Sequence, residues 1–416
     1  MPLPRAPRPL PSAAVPSGTS TAACLGFVSI LGLLGCSDSA TPGETRVRDS
    51  AGVRIVEHGA VVAAPPEWPM TDVPTFLLGD SESDTLQQFQ LISHARRLGD
   101  GRYVVLDGIE STLRYFAPDG RHLLTAGRQG EGPGELLYPY LIIPLAGDTI
   151  AIPDNGNQRL SIFDPSGAFA RSYRKELVQG RTVSLVGRLG DSMYLGRFSL
   201  NEPLPAEGDV ITSALLVRLT DSVTAIDTMM RHRVAEAFVL PQGRDVGLAR
   251  NAFHAYGTVV TSGDGIVYVW SKEPEVRRYS PEGRLERLVR LGHTTRPFTA
   301  ELRRSWMQQT LDQLPSPESQ RRFQRLWTDR PTPDSLPVYS DVLVDEEGYI
   351  WLGHFELLEH PVREWTVLDS AGHLAAMVRT PWHLRIMQIG ENYVLGAMRT
   401  ELDVPTLVVF GLDRRP

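Results

Sequence analysis

Cysteine is nearly absent: Cys24 and Cys36 are the two thiols in 416 residues, and Cys24 falls inside an apolar N-terminal stretch with the character of a cleaved leader. Disulfide stapling, CxxC redox chemistry, thiolate-bound zinc and a cysteine nucleophile are thereby excluded from a mature chain. A hydrophobic run long enough to cross a bilayer, about 20 residues, is also lacking. No basic run exceeds a pair, and the formal charge of −7 becomes −9 once Arg5 and Arg8 leave with the leader. Such a chain has no positive face with which to displace the counterions of a nucleic acid. Missing too are the Gly-x-Ser-x-Gly elbow, the Walker loop and the helical zinc motifs HExxH and HxxEH. What remains is ordinary globular material, 42% hydrophobic and 22% charged, enough for a substantial core.

The N-terminus reads as an address. Residues 1–20 are rich in Pro, Ala and Ser with Arg5 and Arg8, and the apolar run Ala22 to Leu34 ends in Gly35-Cys36-Ser37-Asp38, the layout of a secretory signal peptide. Leu33-Leu34-Gly35-Cys36 resembles the bacterial lipobox, with Leu34 in place of the usual small residue. That resemblance implies removal of residues 1–35, lipidation of Cys36, a polar tether over residues 36–45 and stable membrane attachment through two or three acyl chains. Ser37 after the cysteine does not signal inner-membrane retention in that family. The expected location is extracytoplasmic, lipid-anchored to the cell envelope.

Beyond the tether one pattern recurs. Phe116-Ala-Pro-Asp-Gly120, Phe163-Asp-Pro-Ser-Gly167, Tyr279-Ser-Pro-Glu-Gly283 and Leu368-Asp-Ser-Ala-Gly372, with Arg48-Asp-Ser-Ala-Gly52 ahead of them, supply a turn-entry residue and a Gly for positive φ, so they predict hairpin tips. Ahead of the tips run β-branched and aromatic segments after a Gly, such as Arg97–Asp107, Gly147–Pro153, Gly263–Trp270 and Asp345–Leu352, which predict strands. Weaker copies start at Arg188 and Ile389. Six copies of 40 to 50 residues, each giving about four strands, predict an all-β fold, a six-bladed β-propeller over residues 46–412, with seven blades or an open sandwich as the alternatives. The last copy holds three strands, and Val53–Glu57 is expected to complete it and close the ring.

The phrase Asp154-Asn-Gly-Asn-Gln-Arg-Leu-Ser-Ile-Phe-Asp-Pro-Ser-Gly167 and the stretch Gly127-Arg-Gln-Gly-Glu-Gly-Pro-Gly-Glu135 resemble the six-bladed propellers related to NHL repeats, common among secreted bacterial lipoproteins. The resemblance covers about residues 46 to 412 and is weakest in copies three and six. Residues 299–328 break the β pattern. Leu302, Trp306, Leu311 and Leu314, then Phe323, Leu326 and Trp327, recur at helical spacing, and Ser316-Pro317-Glu318 is a helix start. Two short helices inserted between blades four and five are expected, as packing on the rim rather than as a lid.

Chemistry is sparsely signalled. Gly130-x-Gly132-x-Gly134 lacks the spacing and context of a dinucleotide loop and reads as a connecting turn, with Glu131 and Glu135 as rim charges. His354 and His360 match no zinc spacing, nor do His94, His254 and His383. Asp107, Asp154 and Asn157, just past the second strand of their copies, and Glu110 and Asp191 in nearby loops, are the candidate channel-mouth residues. As hard oxygen donors they suit calcium, and equally they cap turns. The expected function is a non-enzymatic binding or scaffolding module for a peptide, glycan or envelope protein, monomeric and without nucleic acid. The alternative is a calcium-dependent, lactonase-like hydrolase or lyase of the kind found among related propellers, with no catalytic residue assigned. A third reading, an assembly part, predicts an exposed apolar patch.

Overall fold

The computed structural model describes residues 44–59, 65–80, 84–242, 245–250, 253–293, 295–328, 333–358 and 360–415. The expected signal peptide, Cys36 and most of the expected tether lie outside the described residues. Strand dominates, and among the described residues the strands form six sheets, most of them four-stranded and antiparallel, the organisation of a β-propeller.

Sheet 1 runs Ile92–Arg97, Tyr103–Asp107, Thr112–Phe116 and His122–Ala126, and sheet 2 runs Ile143–Pro144, Ile150–Asp154, Arg159–Phe163 and Phe169–Arg174. Sheet 3 has five strands, Ser184–Leu189, Met193–Ser199, Gly208–Thr220, Ala225–Gln242 and Asp245–Ala249. Sheet 4 is built on Gly257–Ser262, Gly265–Trp270, Glu275–Tyr279 and Leu285–Arg290, and sheet 5 on Tyr339–Val344, Ile350–His354, Val362–Leu368 and Leu374–Pro381. Sheet 6 consists of Arg385–Ile389, Tyr393–Arg399, Pro405–Gly411 and Phe76–Leu78.

Packing between sheets follows from the sequence of their middle strands. Tyr103–Asp107, Ile150–Asp154 and Gly265–Trp270 are buried at every position, which requires a neighbour on both faces of the sheet. The apolar clusters supply those neighbours in cyclic order. One joins sheets 1 and 2 through Leu106, Tyr115, Ile152 and Phe163, and the next joins sheets 2 and 3 through Leu160, Tyr194 and Val217. Others link sheets 3 and 4, 4 and 5, 5 and 6. The last, with Val105 and Phe116 against Leu395 and Leu407, returns from sheet 6 to sheet 1. Each fully buried Leu, Val or Phe contributes about 1.5–3 kcal/mol.

The hairpin tips carry glycine for two reasons. Gly52, Gly120, Gly167, Gly283 and Gly372 all have φ between 80° and 90°, as their turns demand. The tip of one sheet also presses on the outer strand of the sheet before it. A Cβ on Gly372 would fall 2.6 Å from Cγ2 of Val289 in sheet 4, and one on Gly167 would fall 2.7 Å from Cδ1 of Leu124 in sheet 1.

Ring closure differs from the sequence expectation. Val53–His58 pairs with Thr45–Ser50 in a hairpin and in parallel with Leu285–Arg290, so it extends sheet 4. Sheet 6 is completed by Phe76–Leu78, antiparallel to Pro405–Gly411. Val56 joins the apolar cluster of Val289 and Leu291, and Glu57 pairs with Arg290 at 2.7 Å. Both favour the edge of sheet 4. The true closing strand is too short for periodicity to register, and its Phe76 is fixed by stacking on Tyr103 at 4.4 Å between ring centres.

Helices α1 (Ala300–Gln313) and α2 (Pro317–Trp327) lie in the chain between sheets 4 and 5. Thr299 caps α1 through the Leu302 amide, and Ser316 with Ser319 forms a capping box on α2, with Pro317 in the first turn. Trp306 and Trp327 pack with Phe253, Phe298, Leu336, Phe355 and Leu357. No helix among the described residues is long and apolar enough to cross a membrane.

Candidate functional site

Antiparallel connectivity gives the sheets two different ends. The turns from first to second strand and the third-to-fourth hairpin tips share one end, the turn face. The second-to-third loops and the connections between sheets share the other, the loop face. Bonds between neighbouring sheets hold both faces in register. Gly190 N donates to Gly263 O at 2.9 Å and Glu346 N to Ile389 O at 3.1 Å on the turn face, and Val338 N donates to Ser271 O at 2.6 Å on the loop face.

The candidate residues do not converge. Asp107 Oδ2 accepts from Gln90 N at 2.8 Å, and Oδ1 accepts from Ile109 N and Glu110 N at 3.1 Å. Asp154 repeats the arrangement one sheet on: Oδ2 accepts from Leu137 N at 2.9 Å and Asn157 Nδ2 at 2.8 Å, and Oδ1 from Asn157 N at 3.1 Å. Both carboxylates are fully buried and stitch a sheet to the segment entering it. Glu110 pairs with Arg114, and Asn157 also donates to Gly130 O at 2.9 Å. Asp191 lies on the turn face of sheet 3, its carbonyl accepting from Arg188. The structure therefore groups Asp107 with Glu110 and Asp154 with Asn157, on separate sheets. No three His, Cys, Asp or Glu side chains among the described residues are grouped to hold a metal ion.

The glycine-rich loop between sheets 1 and 2 folds around its own side chains. Glu135 Oε2 accepts from Gly132 N at 2.7 Å, and its Oε1 lies 2.6 Å from Arg128 Nη2. Arg159 donates to the carbonyls of Glu131, Gly132 and Glu135 at 3.0, 2.7 and 2.6 Å. The Gly132 N–H and then Arg128 hold the Glu135 carboxyl below its ordinary pKa. Glu135 thus organises the loop instead of merely decorating the rim, as the sequence reading had it.

The loop face holds a cavity of about 590 Å³ where sheets 6 and 1 meet, lined by Leu91, Ser93, Tyr140, His383, Arg385 and Arg399 among others. Arg385 opens the first strand of sheet 6 and donates to Ser93 O at 2.9 Å and to Ile92 O, tying sheet 6 to sheet 1. Tyr140 spans toward sheet 3, accepting from Leu185 N at 2.8 Å and donating to Leu185 O at 3.1 Å. Burial raises its pKa to about 12, so it stays a neutral donor. Arg399 pairs with Asp403 at 3.0 Å.

His94, on the first strand of sheet 1, has Arg96 and Arg385 as its charged neighbours. Burial and then the two guanidinium groups push its pKa down to about 3, so the imidazole is neutral. Arg96 pairs with Glu346 at 2.8 Å. Gln388 mimics a backbone across the same junction, accepting from Arg97 N at 2.7 Å and donating to Glu346 at 2.6 Å.

No family model matches the chain. No curated protein matches it either. Among solved structures it is similar to a protein from Bacteroides fragilis at 13% identity and a TM-score of 0.47, covering 87% of this chain and 100% of that one. A member of the DUF4221 family from Bacteroides vulgatus matches at 11% identity and 0.46, covering 84% and 99%. An inactive virginiamycin B lyase from Staphylococcus aureus matches at 10% and 0.38, covering 89% and 99%. None of these likenesses assigns an activity to this chain.

Sequence reasoning missed Arg385, Arg399 and Tyr140 because they come from separate stretches and match no motif. One signal could have found Arg399: it ends the second strand of sheet 6, as Asp107 and Asp154 end theirs.

Proposed function

We propose that the six sheets are six blades of a closed propeller, tethered outside the cytoplasm through lipid on Cys36, and that its loop face is a non-enzymatic binding surface for an envelope ligand. The observation that carries the reading is the unequal cover of that face. Beside sheets 4 and 5, α1 and α2 pack over the connecting segments. From sheet 6 through sheet 1 to sheet 3 the loops instead leave large apolar side chains in solvent: Leu402 is 78% exposed, Ile109 55%, Tyr138 69% and Leu177 63%. Apolar side chains exposed on the same face as a cavity are the composition of an interaction site, and a lining of Leu91, Ala397, Met398 and Pro405 with two arginines and one carboxylate, Asp403, already paired with Arg399, favours an organic ligand over a hard cation.

The test presents the mature lipoprotein to arrays of envelope peptides and glycans, alongside lactone and ester hydrolysis assays with millimolar calcium. Binding is expected, weakened about tenfold or more by combined Leu402→Ser, Tyr138→Ser and Leu177→Ser, with hydrolysis at the buffer rate. Calcium-dependent turnover would overturn the reading in favour of a metal-dependent hydrolase. Cys36→Ser is expected to abolish incorporation of a fatty-acid label.

A further inference from the structure

Arg385 and Arg399 line the cavity and Arg96 neighbours His94, and two of these three arginines have carboxylate partners. Arg96 is matched by Glu346 at 2.8 Å and Arg399 by Asp403 at 3.0 Å. Arg385 is matched by none among the described residues. It donates to the neutral carbonyls of Ser93 and Ile92, which leaves most of its five N–H donors available. It is exposed and lines the cavity, and partial burial lowers its pKa. With Arg399 held by Asp403, Arg385 is the guanidinium of the cavity lining that has no carboxylate partner among the described residues. A cation held in a partly desolvated cleft without a counter-charge is poised for an anion brought from outside.

We propose that Arg385 anchors a carboxylate of the ligand that occupies this cavity, an inference that rests on the loop face being a binding surface. A planar guanidinium matches a carboxylate in shape as well as charge. Leu91, Ala397, Met398 and Pro405 on the same wall offer apolar contact to the carbon skeleton, and Tyr140 adds polar contact. At about 590 Å³ the space suits a compound of one or two sugar rings or a dipeptide. Carboxylates of that size come from acidic sugars and from peptide C-termini, and the probes separate the two.

Calorimetric titration of the mature lipoprotein uses digalacturonic acid against its dimethyl ester, and an N-acetyl dipeptide acid against its amide. One free acid is expected to bind at least about tenfold more tightly than its neutral form, with the margin shrinking in 0.5 M salt. Arg385→Gln is expected to erase the margin. Because Arg385 also joins sheets 6 and 1, a second variant leaves its bonds in place: His383→Asp puts a carboxylate on the same cavity wall and is expected to erase the margin with Tm unchanged. Equal binding of acid and neutral forms, or an intact margin in His383→Asp, overturns the anchor. Equal binding that Met398→Trp blocks would leave the binding cavity standing without the anchor. No binding by any of the four probes overturns both.

Discussion

The turn face and the loop face are built from the same strands and obey different rules. On the turn face of sheets 1, 2, 4 and 5, one short device recurs: a turn-entry residue that is Asp or Ser except for Ala117, a Gly at positive φ, and a tip seated on the preceding sheet. Asp164 Oδ1 accepts from Ser166 N at 2.8 Å and Ala168 N at 3.1 Å, and Asp369 Oδ1 accepts from Ala371 N and His373 N at 2.8 Å. On the loop face, segments of every length enter and leave, some folded around buried carboxylates, some covered by helices and some bare. Uniform packing constrains the first face, whereas the second is free to vary because its side chains need only satisfy one another.

The sharpest way to break this contrast is to damage a tip. Gly372→Val places a side chain at φ 88° and against Val289, which combines strain with overpacking and should cost about 2–5 kcal/mol. The urea midpoint reads it, and a tip that accepts valine without loss would mean that the turn face is not the rigid one. Next in size is Asp154→Ala, on the loop face. It strands Leu137 N and the Asn157 side chain in a buried site and should cost about 2–3 kcal/mol. A smaller value would place Asp154 among the freely variable loop residues.

The third effect is graded by pH. His94 has a folded pKa of about 3 against an ordinary value of 6.5, so between those values the unfolded chain binds a proton that the folded chain does not. Its stabilising contribution is therefore complete above about pH 6.5 and declines as pH falls, with a slope of at most about 1.4 kcal/mol per pH unit. Burial and the neighbouring His354 push His293 down to about 4, which gives the same sign. Between pH 6.5 and 5 the wild-type Tm should fall more steeply than that of a His94→Gln variant. Parallel curves would show that His94 is not desolvated in the folded chain.

Much of the fold was legible in the sequence, for reasons visible in single residues. Glycines at the tips announce themselves because few other residues tolerate their φ, and Ser316-Pro317 announces a helix because capping is local. The strand Phe76–Leu78 was not legible, since three residues have no period, and the hairpin over Thr45–His58 gave no sign that its partner lies more than two hundred positions away in Leu285–Arg290. The site divided in the same way. Asp107 and Asp154 were conspicuous by position, and the structure spends their oxygens on backbone amides. Arg385 was inconspicuous, and its standing comes from which carboxylates reach its neighbours.

By itself, then, the sequence determined the β repeat, the tips and the two helices, because each depends on residues close together in the chain. Only the tertiary structure decided which strands complete sheets 4 and 6, which acids are buried in turns, and that Arg385 has no carboxylate partner among the described residues. Charge balance and strand pairing are settled by neighbours in space, and those neighbours come from distant parts of the chain.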